Sequence, residues 1–252
     1  MLLQMNIKAK AKAIFDSFNV SEGYQYTNSF LQSILDVMPN VTQTLLREHY
    51  RCHPKIINFC NQKFYRGELI IMTTDKGEED VLSVVKTVAG NHERNHYSQR
   101  QIDVIKNEII PKYVSNPEET GIIAPYKNQV EALSKEITDI DAATVHKFQG
   151  KEKENIIIST VDDEISDFAD DPYLINVAVS RAKKKLMLVV TGNEQSRERN
   201  ITELIDTFSI IILRLLKARF IRFLITFTSS ILRKEGYTCR STKKYQNMIR
   251  KI

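Results

Sequence analysis

The sequence has little cysteine and no tryptophan. Its three cysteines, Cys52, Cys60 and Cys239, are odd in number, and none has CxxC spacing. A disulfide framework of the kind found in small secreted domains is therefore not predicted, and a protein of the reducing cytoplasm is expected. Without disulfides the chain must rely on a hydrophobic core, for which 252 residues, 42% of them hydrophobic, are enough.

Long uninterrupted hydrophobic runs are also absent. The N-terminus has no apolar stretch that ends in small residues, so a secretion signal is not predicted. The most apolar segment, residues 207–232, contains Arg214, Lys217, Arg219 and Arg222. Charges at those positions argue against a membrane-spanning helix, and no membrane partner is expected. A helix that lies on a membrane surface stays open as an alternative for this segment.

Acidic residues are nearly missing from the C-terminal part of the chain. Residues 207–252 contain 11 Lys or Arg and one acid, Glu235, whereas the other 206 residues contain 25 bases and 30 acids. The net charge of +5 is therefore due to the tail. A basic tail can bind nucleic acid or an anionic surface. The abrupt change in composition favours another hypothesis, that the tail is translated in a shifted reading frame, which the coding DNA would decide.

Short apolar strands alternate with amphipathic helices through the rest of the chain. The clearest predicted helix is residues 99–113, with Ile102, Ile105, Ile109 and Ile110 on one side. The other predicted helices are residues 28–37, 54–64, 128–137 and about 172–184, and the predicted strands are residues 44–47, 82–88, 121–124, 155–159 and 186–190. This alternation is typical of an α/β fold with a mostly parallel sheet covered by helices on both faces. Because ligands of such sheets bind beyond the carboxyl ends of the strands, we expect the polar clusters there.

The first polar cluster, residues 47–54, lies between a predicted strand and a helix that begins at Pro54. A proline is tolerated in the first turn of a helix because its missing N–H has no partner there. An arginine at a strand end can bind phosphate through two parallel hydrogen bonds, and a surface arginine in a loop is the other interpretation. A zinc site is a further alternative, although the spacing matches no usual ligand pattern. Its ligands would be His49, Cys52, His53 and Cys60.

The second cluster, residues 121–129 (GIIAPYKNQ), runs from a strand through Pro125 and Tyr126 into a helix. Backbone amides at a helix start favour phosphate oxygens, and an aromatic ring can pack against a sugar or a base. An ordinary strand-to-helix turn is the alternative. His92 and His96 are interpreted as loop histidines.

Two later clusters carry a sharper signal. Residues 144–152 (TVHKFQGKE) collect polar side chains around Gly150, which permits a tight turn, ahead of an apolar strand. Residues 176–182 (NVAVSRA) place Arg181 among small apolar residues on a predicted helix, from which it could reach a partner's phosphate. Taken singly, they could be a hydrophilic loop and a surface arginine. The acidic segment between them, residues 162–172, is predicted to be a solvated connection.

In this order the four clusters resemble motifs of the second RecA-like domain of superfamily 1 helicases, in the Upf-like branch (superfamily 1B). Residues 51–54 (RCHP) are similar to a YRMHP element, residues 122–129 to ITPYxxQ, residues 144–152 to TVDxFQGxE and residues 176–184 (NVAVSRAKK) to NVALTRAK. The resemblance runs from about Phe30 to Thr191, and four elements in order are far more specific than one. It implies a RecA-like sheet of the P-loop NTPase type.

The resemblance also implies a division of the chain and a nucleotide site. Residues 1–27 would be the remnant of a preceding domain, residues 28–200 the C-terminal RecA-like domain, and residues 201–252 the basic tail. Arg51 and Arg181 would be arginine fingers, which stabilise charge on the γ-phosphate of ATP in the transition state. The residues near the nucleotide would be Gln149, Gly150 and Glu152, with Glu152 as the ribose or metal-side contact.

Single-stranded DNA or RNA would be the other ligand implied by the resemblance. It would contact Pro125, Tyr126, Thr144 and His146. At His146 the sequence departs from the family, which more often has aspartate there. The resemblance assigns no residue of this chain to a metal ion.

Such helicases need a first RecA-like domain with a Walker A loop and a carboxylate pair for Mg²⁺. No GxxxxGK[ST] sequence occurs here, since Gly150 and Lys151 are followed by Glu152. The chain is therefore expected to be part of a longer helicase that uses ATP and Mg²⁺, with the first domain supplied in cis or in trans. By itself it is expected to bind neither and to have no measurable ATPase activity. Two alternatives stay open: a non-enzymatic nucleic-acid-binding or regulatory module, and one half of a split helicase.

Overall fold

The computed structural model describes residues 2–25 and 27–234, so Cys239 and the rest of the tail after Lys234 lie outside the described residues. By its internal contacts the chain divides into two compact units, Met1–Leu46 and Arg47–Ile252. The division at residues 27 and 28 that the sequence suggests stays a prediction.

The first unit contains the helices α1 (Leu2–Asp16) and α2 (Phe30–Val37), with a short 3-10 turn (Glu22–Tyr24) between them. The start of α2 is fixed by Ser29, whose hydroxyl accepts a hydrogen bond from the backbone N–H of Gln32 at 3.1 Å. The predicted helix at residues 28–37 is thus confirmed.

The predicted buried strand at residues 44–47 is wrong. Residues 41–47 form neither a helix nor a strand, and Leu45 and Leu46 are exposed. A run of two leucines is too short for its periodicity to identify a strand. The nearest strand is β1 (Glu48–His49), which pairs in parallel with β2 (Ile70–Ile71) in a small separate sheet.

The second unit is organised around a sheet of five parallel strands in the order β3-β7-β6-β4-β5. These strands are β3 (Leu82–Lys86), β4 (Thr120–Ala124), β5 (Asp141–Thr144), β6 (Lys153–Ser159) and β7 (Ala182–Val190). Four of the predicted strands are therefore confirmed, and β5 is one that the hydrophobic pattern did not reveal. Its sequence, DAAT, has no branched or aromatic side chain except a terminal threonine, so it lacks the usual strand signal.

Helices cover both faces of this sheet, as predicted for the α/β fold. Successive side chains of a strand point to opposite faces, so each central strand contributes to two separate cores. One core takes Ile123, Ile156, Ile158, Leu186 and Leu188, and the other takes Ile122, Ile157, Met187 and Val189. Burial of each such side chain is worth about 1.5–3 kcal/mol, so the strands contribute substantially to the stability of both cores.

The helices of the second unit include the predicted ones at residues 54–64, 99–113 and 128–137, a shorter form of the one predicted at residues 172–184, and two that were not predicted. They are α3 (Pro54–Phe64), α4 (Gln99–Val104), α5 (Ile110–Tyr113), α6 (Lys127–Glu136), α7 (Val145–Phe148), α8 (Pro172–Val179) and α9 (Asn200–Lys234). A π-helical turn, Ile105–Ile109, joins α4 to α5. Pro111 follows it and cannot donate the next backbone hydrogen bond, which accounts for the wider turn.

The last helix, α9, begins at the predicted boundary between the RecA-like domain and the tail. Ile201, Leu204, Ile205 and Phe208 of its first turns are buried in the core beside α3 and α8. Beyond them Leu213 and Leu216 are exposed. In the described part of the chain, no helix is both long and apolar enough to span a membrane.

Candidate functional site

Four charged side chains meet at the amino ends of β6 and β7: Arg51, Glu152, Arg181 and Lys183. Glu152 is the centre of this group. One of its carboxylate oxygens is paired with Nε of Arg51, and the other lies 2.9 Å from Nζ of Lys183. We call these four side chains the amino-edge cluster. It brings the two predicted arginine fingers to one place.

Arg51 reaches this edge because its loop is tied to β7. The backbone N–H of His53 donates to the carbonyl of Lys183 at 2.8 Å. His53 also begins α3, since its Nδ1 accepts a hydrogen bond from the N–H of Lys55 at 3.1 Å while Pro54 occupies the first turn. The RCHP sequence thus has a structural role, which is to hold Arg51 beside the first residues of β7.

Arg181 lies in the turn between α8 and β7, so the predicted helix over residues 172–184 is wrong in its second half. The helix ends at Val179, and the residues from Ala182 onwards pair with β6. Pairing with a central strand outweighs the helical propensity of the three lysines that follow Ala182, because it buries the rest of the strand.

Arg181 makes three hydrogen bonds, all to uncharged acceptors. Its guanidinium donates to the carbonyl of Val177 at 3.0 Å, to Oγ of Ser180 at 3.1 Å and to the carbonyl of Lys151 at 3.3 Å. Within the part of the chain that the structure describes, no carboxylate forms an ion pair with Arg181. Burial, and after it the charge of Arg51, lowers the pKa of Arg181. The guanidinium is therefore held in place by neutral acceptors, with Glu152 acting on it only through its charge.

The amino-edge cluster also sets the ionisation of two neighbours. The hydrogen bond from Lys183, supported by Arg51, holds the pKa of Glu152 below its ordinary value, so this carboxylate stays ionised. Cys52 lies next to Arg51, with its Sγ 3.4 Å from the carbonyl of Ser180. Burial raises the pKa of Cys52 to about 12 despite the nearby arginines. This thiol is therefore neutral and unsuited to act as a nucleophile.

The predicted strand-contact residues lie at the opposite edge of the sheet, beyond the carboxyl ends of β4 and β5. Pro125 and Tyr126 follow β4, Thr144 is the last residue of β5, and His146 is exposed on α7. Ala124 is the register partner of Thr144, which makes the two segments neighbours. The expectation that polar clusters lie beyond the carboxyl ends is right for this group.

That expectation is wrong for the amino-edge cluster. Glu152 and Arg181 both precede their strands, so in a parallel sheet they share the amino edge. The sequence shows which residues flank a strand, but the choice of edge follows from whether they precede or follow it.

The segment 144–152 connects the two edges, and its apolar residues anchor it. Val145 and Phe148 of α7 are buried, whereas Gln149 and Gly150 are exposed. Gly121 of β4 makes room for Phe148, because a Cβ on Gly121 would lie 2.5 Å from the ring. Gly150 has a φ of 84°, a conformation that favours glycine. The polar residues of this motif thus lie on a short helix fixed on the sheet or in the chain directly before and after it.

Tyr126 is held by its hydroxyl group. That hydroxyl lies 2.8 Å from Oδ2 of Asp162 and 2.6 Å from Oγ of Ser166. Burial, together with Asp162, raises the pKa of Tyr126. The phenol group is therefore engaged within the protein, and what it offers a ligand is its ring.

Behind this edge lies a buried polar network that no motif of the sequence indicates. The side chain of Gln129 accepts from the N–H of Ser98 at 2.8 Å and donates to Oγ of Ser159 at 3.1 Å. Ser159 in turn donates to Oε1 of Gln101 at 2.8 Å, and that oxygen also accepts from the N–H of Val161 at 3.1 Å. Gln129 is the last residue of the motif at residues 122–129, and in this structure it joins α6, α4 and β6.

The prediction that the acidic segment 162–172 is a solvated connection is right for the exposed Glu164 and Asp167 but wrong for two of its other carboxylates. Asp162 and Asp170 are buried. Asp170 accepts hydrogen bonds from the N–H groups of Asn200 and Ile201 and so caps α9, while Asp171 caps α8. These carboxylates fix the ends of helices, a function that their number alone does not reveal.

The described residues contain one group of side chains close enough to share a metal ion: His53, Asp75 and Glu78. Nε2 of His53 faces both carboxylates, at 3.5 Å and 3.4 Å. Because its Nδ1 accepts from Lys55, the neutral ring carries its proton on Nε2, as a donor to these carboxylates. The alternative zinc set of His49, Cys52, His53 and Cys60 is not assembled as such a group. Nε2 of His49 instead accepts from the N–H of Cys52.

Comparison with known proteins gives these features a context. Residues 74–194 match a family model described as an AAA domain. An uncharacterized ATP-dependent helicase of Methanocaldococcus jannaschii is 27% identical over 213 residues, which are 74% of this chain and 32% of that protein. The RNA helicase Mov10l1 of Mus musculus is 27% identical over 185 residues, 60% of this chain and 15% of that protein. The chain spans between about a tenth and about a third of the length of such relatives.

A solved structure of the C-terminal domain of a possible DNA helicase from Lactobacillus plantarum aligns with this chain. The alignment covers 58% of this chain and 89% of the chain in that structure. At 18% identity and a TM-score of 0.41, that alignment is too loose to transfer residue roles. The parallel sheet with helices on both faces, together with the family match, defines the class of protein: an α/β AAA domain of the RecA-like type. More particularly, the chain carries a C-terminal RecA-like helicase domain related to the Upf-like and MOV-10-like helicases of superfamily 1.

Proposed function

We propose that this chain supplies the C-terminal motor domain of an ATP-dependent DNA or RNA helicase. In this proposal Arg51 and Arg181 reach the γ-phosphate of an ATP bound to a first RecA-like domain, in cis or in trans. The observation that carries the proposal is the amino-edge cluster itself. There Arg51 and Lys183 are both paired with the carboxylate of Glu152, and Arg181 lies near enough for its charge to interact with those of Arg51 and Glu152.

The charge balance of the amino-edge cluster supports an anionic ligand. Its three cations and one carboxylate leave an excess of two positive charges, and among the described residues Arg181 hydrogen-bonds to uncharged acceptors. In this chain the carboxylate of Glu152 is the ion-pair partner of Arg51. Phosphate oxygens can replace that carboxylate because they accept hydrogen bonds from a guanidinium group in a similar geometry. Fixed guanidinium groups would then stabilise the charge that develops during phosphoryl transfer.

The chain's own residues fit the triphosphate better than the metal ion. Arg51 and Arg181 can contact phosphate oxygens, and Gln149 and Gly150 are exposed close to Glu152 in the sequence. Glu152 is already paired with two cations, so Mg²⁺ would be held by carboxylates of the first domain. When bound, the ion would neutralise charge on the phosphate oxygens.

The carboxyl edge supports contact with a single strand of DNA or RNA. Pro125 and Tyr126 lie beside Thr144 there. The helix α6 begins directly after Tyr126, and no side chain of the described residues caps it. Uncapped N–H groups at a helix start can donate to a phosphate of the strand. His146, exposed on α7, would extend this contact surface. Phosphate hydrolysis and strand contact would therefore use opposite edges of one rigid sheet.

A chimera tests the proposal. In the M. jannaschii relative, this chain replaces the segment that aligns with it. ATP hydrolysis by the chimera is then measured with and without single-stranded nucleic acid. We expect stimulated hydrolysis in the chimera. The substitutions Arg51→Lys and Arg181→Lys keep the charge but remove the planar fork, and each should lower kcat by about a thousandfold or more.

Lys184→Arg is the matched control, since Lys184 lies three residues from Arg181 but pairs with Glu154, at 2.6 Å. It should leave kcat within about twofold, as expected for an exposed pair. Unchanged hydrolysis in Arg51→Lys and Arg181→Lys, in a chimera that hydrolyses ATP, would refute the assignment of both arginines.

A further inference from the structure

An exposed group of three aromatic rings lies at the carboxyl edge, beside β4 and the loop that follows β6. Tyr126 stacks on His96 with ring centroids 4.2 Å apart and planes 23° apart. Phe168 packs against the same tyrosine at 5.6 Å. His96 is exposed, and Phe168 retains 48% of its exposure. We call His96, Tyr126 and Phe168 the aromatic cluster. Exposed aromatic side chains that pack together often mark a binding surface, because leaving their apolar area in water is unfavourable.

The position of His96 is unusual for its backbone. Asn95 and His96 have φ values of 54° and 61°, a region that favours glycine at both positions. They form a two-residue turn whose flanks are joined by the N–H of Arg94 and the carbonyl of Tyr97 at 2.8 Å. The side chain of Asn128 holds the turn by donating to the carbonyl of Asn95, also at 2.8 Å. A histidine ring is thus kept on Tyr126 at a place where glycine would be less strained.

The acidic groups beside the aromatic cluster are already bonded. Asp162 accepts from the hydroxyl of Tyr126 and from the N–H of Ser166, and Asp163 accepts from the N–H of Glu93 at 2.6 Å. Lys127 is exposed directly after Tyr126, and Lys147 is exposed on α7 at the same edge. Neither lysine forms an ion pair among the described residues, whereas the exposed Asp167, next to Phe168 in the sequence, is paired with Arg199. The edge that carries the rings therefore also carries exposed lysines.

We propose that the aromatic cluster is a platform on which unpaired bases of single-stranded nucleic acid stack, through the outer surfaces of His96 and Phe168. This inference rests on the strand contact in the proposed function and adds two residues that no motif indicates. Aromatic rings with neighbouring cations fit a single strand, whose bases expose their faces and whose phosphates need positive charge. A duplex fits less well, since its bases are stacked on one another.

Binding to strands with and without bases tests this proposal. The full chain is titrated into a fluorescently labelled oligothymidylate and into an abasic strand of the same length and charge, and Kd is measured by anisotropy. Loss of one stacking contact lowers affinity by between about 5- and 150-fold. We expect the unmodified chain to bind the base-bearing strand at least about fivefold more tightly than the abasic strand.

Two substitutions remove rings from the aromatic cluster. His96→Gly removes the ring and relieves the backbone, so its melting temperature should be unchanged or higher. Phe168→Leu keeps an apolar side chain. Each should weaken binding of the base-bearing strand by about fivefold or more while leaving the abasic strand unaffected. Asn95→Gly is the matched control, since it relieves the same turn and keeps the His96 ring, and it should bind both strands normally.

Equal losses for both strands, or no loss for either variant, would overturn the platform. If the unmodified chain shows no preference for bases, the platform is also refuted, while a chimera that hydrolyses ATP would leave the proposed function standing. If the chain binds neither strand, both the platform and the strand contact of the proposed function fail.

Discussion

At the scale of single residues, Glu152 is the anion that gives the amino-edge cluster its order. Lys183 and Arg51 approach it from two directions, and both keep the carboxylate ionised. If a triphosphate takes over Arg51, Lys183 is the partner that would retain Glu152. Lys183 is the first of three consecutive lysines after the NVAVSRA motif. In the structure it is a positioning residue for Glu152.

The pKa of Glu152 should therefore depend on Lys183. Removing that hydrogen bond with Lys183→Met should raise the pKa of Glu152 towards its ordinary value, which carbon-detected NMR of the side-chain carboxyl can follow. Lys184→Met is the control, because Lys184 pairs with Glu154 and should leave Glu152 unchanged. The opposite ranking of the two variants would contradict the structure.

The sign of the pH dependence follows from the lowered pKa. A carboxylate whose pKa is lower in the folded than in the unfolded state stabilises the protein above its unfolded pKa, and this stabilisation is lost as the pH falls through the folded pKa. Because Glu152 is partly exposed, the contribution to the free energy of unfolding should be below about 1 kcal/mol.

At the scale of elements, the carboxylates of the loop between β6 and α8 determine where two helices begin. Asp170 is buried and accepts from the first N–H groups of α9 at 2.9 Å and 3.0 Å. A negative charge at a helix start also interacts favourably with the helix dipole. The start of α9 matters because its first turns fill the core beside α3 and α8.

Asp170→Ala should lower the free energy of unfolding by about 2 kcal/mol, since it removes a cap and leaves buried N–H groups without acceptors. Asp167→Ala is the matched control in the same loop. Asp167 is 96% exposed and pairs with Arg199, so its loss should cost less than about 1 kcal/mol. Urea denaturation of both variants measures the difference, and equal costs would show that the loop is a solvated connection after all.

At the scale of the whole molecule, the second unit protects two thiols. Cys52 and Cys60 are both buried, and burial raises the pKa of each. In a Cys239→Ser chain these are the remaining cysteines. At pH 8 their reaction with a disulfide reagent should be at least about a thousandfold slower in the native protein than in urea, because the native thiols are almost entirely protonated.

An exposed position on the same helix provides the comparison. Asn58 is exposed on α3, two residues from Cys60, and the thiol introduced by Asn58→Cys should react within about tenfold of its rate in urea. If Cys52 and Cys60 react as fast as this reference, the packing of α3 against the sheet is not stable as described.

The sequence by itself determined the parallel α/β fold, most of its elements and the motifs beside them. Strands such as Asn155–Ser159 are continuous apolar runs because both faces of the sheet are covered, and this pattern is visible without coordinates. The sequence pattern did not predict β5, whose small residues carry no strand signal. It also predicted a helix over residues 182–185, where the lysines continue a helical pattern but the chain pairs with β6. Both are cases in which the neighbouring strands, not the local residues, decide the structure.

Only the tertiary structure decided how the motif residues are grouped. It separates Arg51, Glu152 and Arg181 at the amino edge from Tyr126 and Thr144 at the carboxyl edge, although residues 144–152 form one continuous motif. It also adds partners far apart in sequence: His96 and Phe168 on Tyr126, Lys183 on Glu152, and Asp170 on α9. The physical reason is that these contacts depend on strand order and register, which no local pattern of residues specifies.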